Sequence, residues 1–144
     1  MLKGCWWLVC YTVGYLFTVQ TIRGRAGVVL CHRYLIDAIV DPKRYRYSGP
    51  IWALELIWKI APKPDLIILL DAPAEVIQQR KQEVPFEETA RQREAFRAVV
   101  APLPNGRIID ASQPLAQTVA EVDEVILSHL RHRVVALVRK GGRP

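Results

Sequence analysis

Three short apolar runs punctuate this chain: Gly27 to Cys31 (GVVLC), Asp65 to Asp71 (DLIILLD) and Arg107 to Asp110 (RIID). Continuous Val, Ile and Leu runs of this length predict strands covered on both faces. Helical patterns lie around and between them. Residues 5–22 predict a helix ended by a turn at Arg23-Gly24-Arg25. His32 to Gly49 is polar, aromatic and basic, and predicts a loop with one helical turn, punctuated by Pro42 and Gly49. Ser48 is placed to cap a helix running to Ala61, with Pro50 near its first turn. Ile51, Leu54, Trp58 and Ala61 fall on one face of that helix, and Pro62-Lys63-Pro64 ends it. Pro73 opens a helix through Glu83, and Pro85 interrupts it. Phe86 to Val100 predicts a charge-rich helix. Pro102, Pro104 and Gly106 form a turn. Pro114 starts a last helix with Val119, Val122, Ile126 and Leu130 on one face, and the tail Arg139 to Pro144 is expected to fray.

Strands that alternate with helices imply parallel pairing through crossovers, hence an α/β layered fold. In such sheets ligands bind beyond the carboxyl ends of the strands. Those ends are Cys31-His32-Arg33-Tyr34, Leu70-Asp71-Ala72-Pro73 and Ile109-Asp110-Ala111-Ser112.

Composition adds three points. The 144 residues have room for one domain, and 51% hydrophobic with 24% charged residues excludes wholesale disorder and collagen-like structure. Of the 20 cations 14 are Arg, and the net charge is +6, which points mildly to an anionic partner and fits an ordinary basic surface equally well. Cys5, Cys10 and Cys31 show no C-x-x-C spacing, so buried, reduced thiols in a cytoplasmic protein are expected. Gly4 to Val19 is nearly all apolar, yet shorter than the roughly 20 residues of a membrane span, and no small-x-small cleavage site follows it. A helix that has lost its covering partner is the preferred account, and a membrane role is not expected.

Candidate chemistry gathers at the strand ends. Arg33 stands just past the first run, placed either to hold a phosphate through paired hydrogen bonds or to pair with a nearby acid. Arg80, Lys81, Arg91 and Arg93 flank the segment around Pro85. A mobile segment edged with Arg can close over nucleotide phosphates. The interleaved Glu83, Glu87, Glu88 and Glu94 allow the alternative of a solvated, ion-paired face. Asp110-Ala111-Ser112-Gln113 makes a tight loop suited to border a flat base. Lys43-Arg44-Tyr45-Arg46-Tyr47 interleaves cations and aromatics, but one short run does not make a nucleic-acid groove, and nucleic acid is not expected as a partner.

Taken together, VVLCHRYLID, PKPDLIILLDAPAEVIQQRKQE, RQREAFRAV and RIIDASQPLAQTVAEV resemble the thymidylate kinase-like family of nucleoside monophosphate kinases, in family order over residues 27–138. The resemblance implies the P-loop kinase fold, a place in nucleotide biosynthesis, and transfer of the terminal phosphoryl of ATP to a nucleoside monophosphate such as dTMP, with magnesium. It implies that Arg33 and Arg80 are catalytic, with Arg33, Tyr34 and Asp37 on the acceptor. Arg80, Lys81, Arg91 and Arg93 would be lid cations, and Asp110, Ala111 and Ser112 the adenine rim.

Three departures qualify this. His32 stands where the family has an Asp that helps hold magnesium, and imidazole is a poor ligand for that hard cation. Leu35 to Asp41 lacks the family's base-reading residues, although Asp37 can replace some contacts. No G-x-x-x-x-G-K-[ST] occurs in the chain. The expectation is therefore a single truncated domain (1–24 an apolar helix, 27–138 family-like, 139–144 tail) with the first two family strands missing and three remaining under covering helices. Such a chain would be inactive alone, or would be a nucleotide-binding module completed as a homodimer or by a partner chain.

Overall fold

The computed structural model describes residues 6, 9–10, 13–24 and 27–141. The chain forms two compact units, Met1–Pro64 and Asp65–Pro144.

The first unit is helical. Described residues from Trp6 onward are helical, with a π-helical turn at Tyr15–Val19 leading into α1 (Gln20–Gly24). Trp6, Val9, Val13 and Phe17 are exposed, in keeping with a helix short of cover. Six of the residues from Gly4 to Val19, and Arg25 of the predicted turn, lie outside the described residues. No helix among the described residues is long and apolar enough to cross a membrane.

Gly27 to Cys31 is not a strand, contrary to expectation. Val28 and Leu30 are 51% and 79% exposed. A strand exists only through a neighbouring strand that takes up its N–H and C=O groups; among the described residues no strand lies against this run, and its Gly27 N–H donates to the Ile22 carbonyl at 2.9 Å instead. The predicted burial of thiols fails with it, since Cys31 and Cys10 are both exposed; Cys5 lies outside the described residues.

The core of this unit comes from the segment read as mostly loop. α2 (Leu35–Val40) buries Leu35, Ile36, Ala38 and Val40. It packs on α3 (Ile51–Ile60), where Leu35, Ala38, Tyr47, Leu54, Ile57 and Ala61 form one cluster. α3 starts one residue after Pro50, which serves as its cap residue; Ser48 makes no cap. Proline pushes the residue before it to extended backbone, so the helix cannot begin earlier. Of the predicted face of α3, Leu54 and the following Ala61 are buried and Trp58 packs on the cluster, Ala53 and Ile57 join them inside, and Ile51 is 42% exposed.

The second unit follows the α/β expectation. β1 (Ile67–Asp71) and β2 (Gly106–Asp110) pair in parallel, from Ile67 opposite Gly106 to Asp71 opposite Asp110. They are joined by α4 (Ala74–Arg80) and α5 (Phe86–Val100) and followed by α6 (Leu115–Gly141). The described residues thus hold two strands rather than three. Ile109 and Val100 are almost fully buried between sheet and α5. α6 reaches Gly141, past the predicted onset of fraying, and it buries Thr118 while Val119 is 48% exposed.

Candidate nucleotide site

The carboxyl ends of β1 and β2 place Asp71 and Asp110 side by side in register. Asp71 is 9% exposed. Its carboxylate accepts two parallel hydrogen bonds from Arg93, at 2.8 and 2.9 Å, and one from Arg97 at 2.5 Å. A buried carboxylate is tolerable only when paired in this way. Burial alone would raise its pKa; the hydrogen bonds and charges of Arg93 and Arg97 outweigh that and hold the carboxyl below the usual carboxylate range. The same contact raises the pKa of Arg93. Arg93, read from sequence as a lid cation, is therefore bound to the strand end. Arg97 escaped the sequence reading, although its spacing of four residues from Arg93 puts both on one face of α5.

Asp110 closes a tight loop. Its Oδ1 accepts from the hydroxyl of Ser112 at 2.6 Å and from the Ser112 N–H at 2.8 Å. Those two bonds, the hydroxyl first, lower its pKa. The Ala111 peptide is gripped at both ends. Its N–H donates to the backbone oxygen of Asp71 at 2.6 Å, and its carbonyl accepts from Arg80 Nη1 at 2.7 Å. Arg80 and the Asp110–Ser112 loop, singled out separately in the sequence, meet through this bond. Gln113 turns away and donates to Glu121 at 2.9 Å.

The remaining cations of the Pro85 segment are paired as the interleaved acids allow: Lys81 with Glu83, and Arg91 with Glu88 through two 2.7 Å bonds. Gln78 and Thr89, which sequence reading passed over, tie the segment down. Gln78 Nε2 donates to the Val84 carbonyl and to the Thr89 hydroxyl, each at 2.7 Å.

In the first unit Arg33 has φ 75°, in the left-handed region that residues other than glycine seldom adopt. Such strain costs on the order of 1 kcal/mol or more and clusters at binding sites. Its guanidinium lies 3.7 Å from Asp37 Oδ1, while Asp37 Oδ2 accepts the Tyr34 N–H at 3.0 Å and so fixes the start of α2. The Tyr34 hydroxyl donates to the Pro62 carbonyl at 2.6 Å, and its ring meets Trp58 edge-on. Arg33, Tyr34 and Asp37 thus form one local constellation, with half-exposed Arg33 at its edge. Lys63 lies 3.6 Å over the Trp58 ring, and burial lowers its pKa.

Magnesium needs hard oxygen ligands. No described residues form a group of three His, Cys, Asp or Glu suited to a metal. Asp71 is committed to two guanidiniums, whereas Asp110 engages Ser112 through Oδ1.

The chain is similar to a thymidylate kinase. The relative, from Xylella fastidiosa (strain 9a5c), is 33% identical over 126 residues, covering 79% of this chain and 57% of its own length. The chain thus spans a little over half of the curated relative it matches. No protein-family model matches the chain.

Proposed function

We propose that this chain is the acceptor-side and base-side part of a thymidylate kinase-like enzyme that transfers the terminal phosphoryl of ATP to a nucleoside monophosphate such as dTMP. The observation that carries the reading is the hydrogen bond from Arg80 to the Ala111 carbonyl beyond two parallel strand ends, in a chain similar to a thymidylate kinase. Parallel sheets bind ligands at that edge.

In this reading the donor base lies against the Asp110–Ser112 loop. Asp110 shapes the loop through Ser112, and Arg80 sits where charge develops on the donor phosphates. Lys81, and Arg91 in part, add positive potential. Arg93 acts from beneath, holding α5 to Asp71. Arg33 grips the acceptor phosphate with its guanidinium fork, positioned by Asp37 and backed by Tyr34. Arg33 is assigned to the acceptor phosphate and Arg80 to the donor phosphates, and both are read as catalytic. The 144 residues alone bind nucleotides without turning them over, because none of them forms the Gly-rich loop that cradles donor phosphates. That gap also favours a second reading, a nucleotide-binding module completed by a second copy or a partner chain. A cytoplasmic location fits either reading.

Calorimetry with ATP and a panel of nucleoside monophosphates, beside a coupled kinase assay with magnesium, tests this. Binding of ATP and of at least one monophosphate without turnover is expected. A chain that binds no nucleotide overturns the proposal, and turnover by the chain alone overturns the claim that it needs completion.

A further inference from the structure

We infer that Gln78 is a positioning residue, which locks the Lys81–Pro85 turn and thereby sets Arg80 against the Ala111 carbonyl. The role rests on nucleotide binding at the Asp110–Ser112 loop. Both amide hydrogens of Gln78 are used, one on the Val84 carbonyl and one on the Thr89 hydroxyl. Thr89 is 7% exposed, in the first turn of α5. One side chain near the end of α4 therefore holds both the far side of the turn and the start of the next helix. Arg80 is two residues further along α4, at its last position.

A second tie works from further along α5, where Arg93 at mid-helix and Arg97 one turn on hold Asp71. The backbone oxygen of Asp71 in turn holds the Ala111 N–H. The α4–α5 hairpin is thus fixed at its turn by Gln78 and along its length by Asp71, with Ala111 receiving one bond from each branch. The segment around Pro85 is in this proposal a short strap held by these bonds. Its task is to present Arg80 in one place. Preorganisation of this kind raises affinity by removing the cost of ordering a side chain on binding.

The test compares the full chain with Gln78→Leu, Thr89→Val and Thr89→Ser. Hydrogen exchange across residues 81–89 is measured together with affinity for ATP and for dTMP. Gln78→Leu and Thr89→Val are expected to speed exchange in the turn and weaken ATP about tenfold, the size of one or two lost hydrogen bonds. Affinity for dTMP, assigned to Arg33 in the first unit, is expected to stay within about twofold. Thr89→Ser keeps the hydroxyl and restores both readouts. Faster exchange with unchanged ATP affinity overturns the positioning role, and unchanged exchange overturns the clamp. Failure of the unsubstituted chain to bind ATP overturns the nucleotide reading itself, and the role with it.

Discussion

Asp71→Asn is the substitution that probes the second unit hardest. It keeps the shape of the side chain and removes the charge on which Arg93 and Arg97 converge. Breaking a fully buried pair costs about 3–5 kcal/mol. The side chains of Arg93 and Arg97 are 26% and 41% exposed, so water recovers part of that loss. A cost of about 2 kcal/mol is expected, which lowers Tm by about 4–8 °C in a chain of this size. The pH dependence has a defined sign. Asp71 titrates below its ordinary value in the folded chain. Its stabilisation is therefore complete above the unfolded carboxylate pKa of about 4 and is lost as pH falls from there through the depressed folded value. Urea unfolding at neutral pH and at stepwise lower pH, with a double-mutant cycle against Arg93→Gln, measures both effects. The cycle should show at least about 1 kcal/mol of coupling, and Asp71→Asn should flatten the acid limb. Additive effects, or a loss under about 0.5 kcal/mol, would refute the claim that this pair fixes α5 to the strand end.

Two further outcomes follow from packing. Leu54 is completely buried in the α2–α3 cluster, so Leu54→Ala should cost about 2–5 kcal/mol in urea unfolding and loosen the first unit around Tyr34. Gly106 opens β2 against the Val100 backbone oxygen, which an added methyl would strike; Gly106→Ala should cost about 1–3 kcal/mol, read as a lower unfolding midpoint with an unchanged denaturant slope.

Much of the second unit was legible because its signals are local. Five consecutive Leu and Ile residues closed by Asp71 mark a strand, although in the two-stranded sheet Leu70 is 55% exposed rather than covered, and Pro73 and Pro85 mark the starts of α4 and α5. The first unit was less legible because its pattern depends on tertiary partners. GVVLC has strand composition, but composition supplies no neighbour for its peptide groups. Leu35 to Val40 reads as half loop because its neighbours are polar, and it folds inward because Asp37 takes the Tyr34 N–H and starts a helix. The sequence brought out Arg80 and Asp110 as separate features, and only the fold joins them at Ala111. Arg93 carried a plausible charge at a plausible place, yet its bonds go to Asp71. Gln78 and Thr89 were invisible because a neutral side-chain bond between two helices leaves no periodicity to read.

The central claim, that this chain grips nucleotide phosphate, is tested most directly by titrating dTMP and thymidine into the full chain and into Arg33→Ala. The account predicts that dTMP binds and thymidine does not, and that Arg33→Ala weakens dTMP by about tenfold to a hundredfold, the range for a lost charge-assisted hydrogen bond. Equal affinity for dTMP and thymidine, or dTMP binding untouched by Arg33→Ala, would contradict it.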